Sequence, residues 1–372
     1  MRIKLLKNFN NVIAMGSEMK NTVCSLRGSE MYISPSSGDI RGRAAYEKFL
    51  SAVRWAENSF LDKNSFKIAC DLHPDYLSTK YAIGRYDKSR IVQVQHHYAH
   101  MLSAMAEYGH YKKAAGLILD GTGYGDDGGI WGGELLVADL KGYKRTGHLE
   151  YIKFSGGDRL ATEPYRTLYF YALQYGLEER LMSEPVLSGV NRNYLKIIKT
   201  CMARDINIHN SSSCGRLFDA VGALVLNKAI IRRGELLPVL LESEATRAGK
   251  SSDAYDTKGM LSQKKDKLII SAGPLLEKIF DDHGKGIANS TISAKFHNSL
   301  IEVFYNALVK TASAARTDTV ILSGGCFLNS LLREGLSAKL IKKGYRVLTS
   351  KSLPAGDENI SAGQALYLGS QK

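Results

Sequence analysis

Apolar residues concentrate in two segments that predict the same unit: a buried strand, a loop of glycine and polar residues, and a second strand. The first segment is Asn11–Leu26, and the second is Gly116–Ala138. Short apolar runs bounded by glycine are typical of buried strands. Loop glycines can adopt positive φ and bring backbone N–H groups close to a ligand. The repeat predicts two related α/β lobes around a cleft, although two ordinary hairpins would produce the same pattern.

The rest of the chain alternates between helical and strand patterns, as a mixed, mainly wound sheet requires. Helices are predicted at Ala44–Glu57, His96–Tyr108, Pro164–Tyr175, Arg216–Val225, His297–Arg316 and Asn329–Lys343. Strands are predicted at Phe66–Cys70, Ile91–Val94, Thr319–Leu322 and Tyr345–Thr349. The polar stretch Gly249–Lys267 is predicted to be an exposed insertion. We expect an N-terminal lobe at residues 1–112 and a C-terminal lobe at 113–372, with the last helix packing back on the first lobe.

Composition and cysteine usage place the chain among folded, soluble, cytoplasmic proteins. Of its 372 residues, 44% are hydrophobic and 23% are charged, so a sizeable core can form and wholesale disorder is excluded. No apolar run reaches the ~18–20 residues that a membrane span needs, and no secretory signal is visible. The five cysteines are odd in number and form no C-x-x-C pair, which favours reduced thiols over disulfides or a zinc ribbon.

The charge is strongly basic, with 50 Lys and Arg against 37 Asp and Glu and a net charge of +13. Such an excess is compatible with nucleic acid, a small anionic substrate or an acidic partner protein. The basic residues are dispersed, and no Arg-rich tail or RNP-like aromatic motif accompanies them. This distribution favours a solvated surface over a nucleic-acid partner.

Two histidines and two aspartates form a candidate metal site. His96 and His100 are at i and i+4, so they share one face if the segment is helical. Imidazoles at this spacing can bind one metal ion, although purely structural histidines fit the pattern about as well. Asp120 ends an apolar strand and Asp357 ends a strand-to-helix connection, which is where sites collect in wound sheets. This ligand set would suit Fe(II), Zn(II) or Mn(II), with positions left open for substrate oxygens.

Two glycine-rich loops are candidates for anion binding. The segment Asp120–Gly129 is not a P-loop, because no Gly-Lys-Ser/Thr follows, and its acidic residues are out of register for an EF-hand. A phosphate-binding turn that starts with a metal ligand fits it better. Ser323–Gly325 precedes a predicted helix N-terminus, which is a natural anion site, although a tight strand-to-helix turn explains it equally well.

Several motifs, in the same order along the chain, resemble the C-terminal catalytic, TsaD-like domain of the HypF carbamoyltransferase family. The matching segments are Gly16–Thr22, Asp71–Ala82, His96–His100, Asp120–Glu134, Gly157–Arg159 with Glu163 and Pro164, Gly215–Val221 and Ser323–Asn329. The resemblance covers nearly the whole chain and includes a rare twelve-residue string at Asp71–Ala82. The implied fold is α/β, of the duplicated actin/Hsp70/sugar-kinase type, with two lobes around a nucleotide cleft.

The resemblance also implies roles for individual residues. His96, His100, Asp120 and Asp357 would be the catalytic residues and would hold one divalent metal ion, with Fe and Zn as the first choices. Asp219 would contact the ribose of a nucleotide, the AMP moiety of an ATP-derived adenylate, and Lys20 and Asn21 would face phosphate. Further nucleotide contacts are implied at Gly121, Thr122, Gly123, Gly234, Gly324, Gly325 and Asn329.

The implied reaction transfers a carbamoyl group from carbamoyl-adenylate to the C-terminal cysteine of a HypE-like partner. The resulting thiocarboxamide becomes a cyanide ligand on the iron of [NiFe]-hydrogenase. The family's acylphosphatase, zinc-binding and YrdC-like adenylate-forming domains match no segment here. We therefore expect either a separate YrdC-like protein or missing N-terminal domains to supply the adenylate. Two departures from the family pattern are Asp357–Asn359 in place of Asp-Gly-Gly, and Ser34–Ser37 in place of a stretch with Gln-His.

Other functions remain open at this stage. An O-carbamoyltransferase that acts on a small-molecule hydroxyl would need a similar site. A component of tRNA threonylcarbamoylation, or a non-catalytic partner subunit, is favoured only by the positive charge. Cys326, which directly follows Gly325, is a minor candidate for a covalent carbamoyl carrier, although a cysteine there is more often small hydrophobic filling.

Overall fold

The computed structural model describes residues 1–61, 65–232, 236–249 and 253–371. Its strands are β1 (Arg2–Ala14), β2 (Cys24–Ile33), β3 (Lys67–Asp71), β4 (Ile91–Val94), β5 (Ala114–Tyr124), β6 (Ile130–Asp139), β7 (Gly142–Leu149), β8 (Ile152–Phe154), β9 (His209–Ser211), β10 (Leu261–Lys264), β11 (Lys267–Ile270), β12 (Thr319–Ser323) and β13 (Arg346–Thr349). Its helices are α1 (Arg43–Asn58), α2 (Leu77–Arg85), α3 (His96–Tyr108), α4 (Arg159–Thr162), α5 (Pro164–Gln174), α6 (Glu178–Met182), α7 (Arg192–Ala203), α8 (Cys214–Val225), α9 (Leu236–Arg247), α10 (Gly273–Gly284), α11 (Asn289–Ala315), α12 (Ser330–Lys342) and α13 (Ile360–Ser370).

The strands form two sheets. The first sheet has the order β2-β1-β3-β4, and the second has the order β10-β11-β7-β6-β5-β12-β13, with β8 and β9 paired beside β6. In the second sheet β5, β12 and β13 are parallel, whereas β5, β6 and β7 are antiparallel. Because β5 and β12 run in the same direction, the loop after Ser323 lies beside Asp120.

Helices α3 and α13 connect the two sheets and position the candidate site. The segment His96–Ala106 of α3 is entirely buried. Helix α13 packs on β1, β2 and β3, and it crosses α3 so closely that a Cβ on Gly363 would lie 1.8 Å from the carbonyl oxygen of Ala99. Gln364 of α13 accepts a hydrogen bond from the backbone N–H of Gly16 at 2.9 Å. The lobe boundary near residue 112 stays a prediction.

The predicted helices and strands occur where the sequence placed them, but several differ in extent. Helix α11 begins at Asn289, ahead of the predicted start at His297, and β5 continues past Asp120 to Tyr124, so the first half of the predicted loop Asp120–Gly129 is strand. β1 and β2 are much longer than the first repeat suggested. Residues 2–9 of β1 pair with β2 alone, so most of their side chains are exposed and show no clear apolar pattern. The predicted insertion Gly249–Lys267 is exposed over residues 262–266, as expected, but its second half also joins the second sheet. There β10 and β11 form a hairpin on the second sheet, and Met260 is buried, while residues 250–252 lie outside the described part. None of the helices in the described part of the chain combines the length and the apolar character that a membrane span requires.

Candidate metal centre and nucleotide loops

Four predicted ligands converge at one point between α3, the irregular part of β5 after Leu119 and the turn before α13. One donor atom from each of His96, His100, Asp120 and Asp357 lies within 4.8 Å of the other three. Asp120 Oδ2 is 3.5 Å from His96 Nε2 and 3.6 Å from His100 Nε2. Asp357 Oδ1 is 3.8 Å and 3.9 Å from the same two nitrogens. The two histidines are completely buried, whereas the Asp357 side chain is 19% exposed, so the centre opens on the Asp357 side.

The orientation of both imidazoles is fixed from behind by hydrogen bonds at Nδ1. His96 Nδ1 lies 2.8 Å from Asp71 Oδ2, and His100 Nδ1 lies 2.9 Å from Asn359 Oδ1. The Asn359 amide donates to the carbonyls of Pro354 and Ala355, so its oxygen must accept from His100. Protons on both Nδ1 atoms leave the Nε2 lone pairs pointing into the centre.

The charges at the centre favour a cation. The carboxylates of Asp71, Asp120 and Asp357 raise the pKa of His96 well above its usual range, although burial by itself would lower it. The two histidines hold the pKa of Asp120 well below its usual range, although burial opposes this. Without a metal ion, a proton on His96 is therefore the positive charge that the carboxylates stabilise.

These residues fit a divalent metal ion. Both Nε2 atoms are buried and have no hydrogen-bond partner among the described residues. An unpaired buried nitrogen is costly unless a ligand completes it. Two imidazole nitrogens and two carboxylate oxygens, each imidazole held by an outer carboxylate or amide, are a donor set that Fe(II), Zn(II) and Mn(II) accept. The predicted metal contacts stay a prediction, now supported by this geometry.

The two glycine loops meet at Asp120. The backbone N–H of Gly325 donates to Asp120 Oδ1 at 3.0 Å, and Gly324 adopts a positive φ of 99° that brings this N–H into place. On the other side, Ser213 donates to the carbonyl of Gly121, and Gly215 packs against that glycine. The Gly325 N–H is therefore used by a metal ligand. The loop leads into a short 3₁₀ turn at Gly325–Leu328, and not directly into α12.

Gly123 and Thr122 occupy different surroundings in the same loop. Gly123 packs against the rings of His96 and His97, whereas Thr122 is exposed. A side chain at Gly123 would collide with both imidazoles, because its Cβ would lie 2.5 Å from His97 Cε1. Gly123 thus serves the packing of α3, and its predicted nucleotide contact, like that of Thr122, remains a prediction.

Asp219 is a buried carboxylate on α8 whose oxygens accept no hydrogen bond from the described residues. Arg216 Nη1 lies 3.0 Å from its Oδ2, outside hydrogen-bond alignment. Burial raises the pKa of Asp219 to about 7, against the effect of Arg216. Its acceptors are thus available to hydroxyl donors such as those of a ribose.

Two predicted nucleotide contacts have side chains that are already engaged in the structure. The Asn21 amide donates to the carbonyls of Met15 and Ser17 at 2.8 and 2.6 Å, so both of its protons hold the first loop together. The Asn329 oxygen caps α12 at Leu332, and its nitrogen lies 3.0 Å from His297 Nε2. This geometry does not favour a phosphate contact from Asn21, and it leaves Asn329 only one spare proton.

The other predicted contacts differ in what the structure describes. Lys20 lies beside Asn21 with a positive φ of 48° and is partly buried. Gly234 lies outside the described residues.

Cys326, the candidate covalent carrier, is hydrogen-bonded to Cys214, and this contact together with burial holds the pKa of the Cys326 thiol well above its usual range. A thiol kept protonated is a poor nucleophile, so the structure argues against that role.

Sequence reasoning missed the two residues that orient the histidines. In the sequence, Asp71 stands out only as the start of the motif Asp71–Ala82. Its position directly after the apolar strand Phe66–Cys70 is nevertheless the same pattern that indicates Asp120. Asn359 was noted only as a departure from the family pattern. No local signal could have paired it with His100, which is 259 residues away.

Comparisons with known proteins identify the family to which the chain belongs. Residues 7–107 match the family described as "HypF Kae1-like domain", and residues 116–364 match "Carbamoyltransferase, Kae1-like Domain, second subdomain". Carbamoyltransferase HypF2 of Cupriavidus necator is 35% identical over 97% of this chain and 47% of its own length. The carbamoyltransferase HypF homolog of the same organism is 32% identical over 95% of this chain and 90% of its own length.

Solved structures give the same result. A crystal structure of full-length HypF in the phosphate- and nucleotide-bound form matches with a TM-score of 0.91 and 33% identity, over 99% of this chain and 57% of that chain. A second, of HypF from T. kodakarensis, has a TM-score of 0.88 and 26% identity over 99% of this chain and 49% of that one. The predicted fold, of the actin/Hsp70/sugar-kinase type, is confirmed. The chain spans about half the length of most curated relatives it matches. Nearly every residue is nevertheless covered, and the chain belongs to the HypF family, matching its Kae1-like domain.

Proposed function

We propose that this chain transfers a carbamoyl group from carbamoyl-adenylate to the C-terminal cysteine of a HypE-like partner, in the maturation of [NiFe]-hydrogenase. One observation carries the proposal: the unpaired Nε2 atoms of His96 and His100 and the carboxylates of Asp120 and Asp357 converge where the glycine loops meet. The relatives named carbamoyltransferases, and the nucleotide and phosphate in the crystal structure of a full-length HypF, support the same reading.

Different groups of the protein would bind the two ends of the carbamoyl-adenylate. His96, His100, Asp120 and Asp357 would hold the metal ion, which when bound supplies Lewis-acid polarisation of an oxygen and neutralises phosphate charge. Asp219 would accept the hydroxyl protons of the ribose, since both of its oxygens lack a donor. Gly324 and Gly325 lack side chains, so the donor can approach the backbone beside Asp120 closely.

The transfer itself needs no covalent intermediate on this chain. The partner's thiolate would attack the carbamoyl carbon, a carbon–sulfur bond would form, and the bond from that carbon to the phosphate oxygen would break. AMP leaves with the bonding electrons, and the thiol proton is released to solvent. The chain contributes by holding two substrates in attack geometry. Because burial and the contact with Cys214 raise the pKa of the Cys326 thiol, the nucleophile would come from the partner.

A single-turnover assay tests the proposal. The chain is loaded with one metal ion and given carbamoyl-adenylate made by a separate YrdC-like protein, together with a HypE-like acceptor. Mass spectrometry should find one carbamoyl group on the acceptor's C-terminal cysteine, and AMP should be released in equal amount. Without the YrdC-like protein, the chain given ATP and carbamoyl phosphate should form no adenylate.

Matched controls separate the outcomes. An acceptor whose terminal cysteine is replaced by serine should stay unmodified. His100→Ala should abolish transfer. His283→Ala, at a partly buried histidine paired with Glu184, should leave transfer unchanged. If the acceptor remains unmodified while the adenylate stays intact, the chain is not a transferase for this acceptor. Carbamoylation of a small-molecule hydroxyl instead would favour the O-carbamoyltransferase alternative, and salt-sensitive tRNA binding would favour the tRNA-modification alternative.

A further inference from the structure

Arg145 on β7 is a buried cation whose guanidinium connects three separate segments around the candidate donor site. Its Nε donates to Glu134 Oε2 at 2.6 Å, and its Nη1 donates to Asp127 Oδ2 at 3.0 Å. Its Nη2 donates to Ser212 Oγ at 3.2 Å. The guanidinium carbon also lies 4.0 Å from the centre of the Trp131 ring. The planar fork of arginine allows one residue to make these contacts at once.

Glu134, the main partner of Arg145, is completely buried, and its second oxygen is equally engaged. Oε1 accepts from Ser212 Oγ at 2.5 Å and from the backbone N–H groups of Gly132 and Gly133 at 3.0 and 3.1 Å. Arg145 and Glu134 therefore hold Ser212 from two sides. A buried ion pair with both partners fully hydrogen-bonded favours one arrangement of the segments that it joins.

Ser212 passes this constraint to the site through its neighbour. Ser213 Oγ donates to the carbonyl of Gly121 and accepts from the N–H of Arg216 at 3.0 Å, so it caps α8 while holding the loop after Asp120. The three backbone segments pack tightly here, because a Cβ on Gly132 would lie 2.6 Å from the carbonyl oxygen of Asp120 and 2.9 Å from Ser213 Cα. Helix α8 carries Asp219.

The third contact holds the far end of the Asp120–Gly129 loop. Asp127 Oδ1 accepts from the Trp131 indole N–H at 2.8 Å and from the Gly129 N–H at 3.1 Å, while Oδ2 accepts from Arg145. One guanidinium thus fixes the loop at Asp127 and the start of α8 at Ser212.

We propose that Arg145 is a positioning residue of the donor site: with Glu134 it sets the spacing between the Asp120–Gly129 loop and Asp219, acting through Ser212. The inference rests on the proposed function, since it takes this space as the nucleotide site. A purely structural ion pair would instead lower stability and affect metal and nucleotide equally.

Two single variants and their double test the role by calorimetry with AMP and by metal analysis. Arg145→Lys keeps the charge but cannot reach three segments, and it should weaken AMP binding about tenfold or more. Ser212→Ala should weaken it several-fold. Because both act through one contact, the double variant should lose less than the product of the two losses. Bound metal should stay at the wild-type level in all three.

Thr146→Val is the matched control. Thr146 is the next residue on β7, and its hydroxyl bonds only the carbonyl of Leu135 within the sheet, so AMP affinity should not change. Affinities within about twofold of wild type in both Arg145→Lys and Ser212→Ala would overturn the proposal, as would losses that multiply or that follow metal loss and thermal instability.

Hydrogen exchange of the ligand-free protein separates this inference from the proposed function. Arg145→Lys should raise exchange in segments 120–129 and 212–219, and leave α3 protected as in wild type. Unchanged exchange in both segments would overturn the positioning role alone. A wild-type chain that binds no AMP at all would overturn the nucleotide site, and the role of Arg145 in it, whatever the exchange pattern shows.

Discussion

The metal centre and the nucleotide loops share Asp120, but their polar atoms are arranged in opposite ways. At the metal centre, the Nδ1 atoms of His96 and His100 are satisfied by Asp71 and Asn359, and the Nε2 atoms are left unpaired toward one point. In the candidate nucleotide region the amide nitrogens of Asn21 and Asn329 are engaged by the first loop and by His297, whereas neither Asp219 oxygen accepts a hydrogen bond from the described residues.

This difference shows which polar residues serve a ligand. A side chain whose donors are all used inside the protein stabilises the loop in which it stands, as the Asn21 amide nitrogen does. The buried Asn21 Oδ1, by contrast, accepts no hydrogen bond from the described residues. A buried atom without a partner costs free energy in the folded protein unless something binds to it. By this criterion the candidate metal centre offers the Nε2 atoms of His96 and His100, whereas the candidate nucleotide region offers the two Asp219 oxygens, Asn21 Oδ1 and backbone groups.

Removing a metal ligand should have the largest effect. His100→Ala leaves three donors, so metal affinity should fall by more than the about 10–100-fold that loss of an outer partner costs. Metal analysis after dialysis against a weak chelator measures this, with His283→Ala as the control. Equal occupancy in His100→Ala and wild type would show that the four residues do not form the site.

The next largest effect concerns Asp219 and pH. Burial raises the pKa of Asp219 to about 7 in the folded protein, whereas an unfolded Asp titrates near ~3.9. The folded state therefore holds the extra proton between these values, and the stability it gains is lost as pH rises from about 4 to about 7. The loss at neutral pH is at most about 4 kcal/mol.

Asp219→Asn cannot ionise, so its unfolding free energy relative to wild type should rise over the same pH range. Urea unfolding at several pH values from about 4 to about 8 measures the difference. Asp205→Asn, at a surface residue paired with Lys153, is the control and should show no such trend. A constant difference between Asp219→Asn and wild type across the range would mean that the carboxyl is not held neutral by burial.

Changing an outer partner should have a smaller effect on the candidate metal centre. Asp71→Asn removes the carboxylate that accepts from His96 Nδ1, so metal affinity should fall about 10–100-fold while the fold persists. Glu57→Gln, a buried carboxylate in the first lobe that accepts from Tyr86, should leave metal affinity unchanged. A loss equal to that of His100→Ala would indicate that Asp71 itself binds the ion.

The smallest effect is expected where the first loop contacts the Asp357 turn. Thr22 Oγ1 donates to the carbonyl of Glu358 at 2.8 Å. Thr22 Oγ1 also lies 2.7 Å from Ser361 Oγ, so Thr22→Val removes two hydrogen bonds. It should lower the unfolding free energy by about 2 kcal/mol and should barely change metal affinity. Thr200→Val, at an exposed hydroxyl, is the control for denaturant unfolding. A large loss of metal in Thr22→Val would instead show that this contact with the first loop holds Asp357 in position.

Local patterns alone could predict the repeat, most of the elements and the four residues that converge at the candidate metal centre. Helical spacing puts His96 and His100 on one face, and the apolar run before Asp120 places that carboxylate just past the part of β5 that pairs with β12. These features depend on neighbours within a few residues, so the sequence contains them. The exposed part of β1 and the β10–β11 hairpin were missed because edge strands carry a weak apolar pattern.

Contacts between residues far apart in the chain were decided by the tertiary structure. Asn359 meets His100 only because α13 crosses α3, and Ser213 meets Gly121 only because α8 begins beside β5. The sequence gives the type of each polar side chain but not its partner. It therefore could not show that the Asn21 amide holds its own loop while the Asp219 oxygens accept no hydrogen bond from the described residues. Residue type sets what a group can bind, whereas packing decides which of its hydrogen bonds are already made.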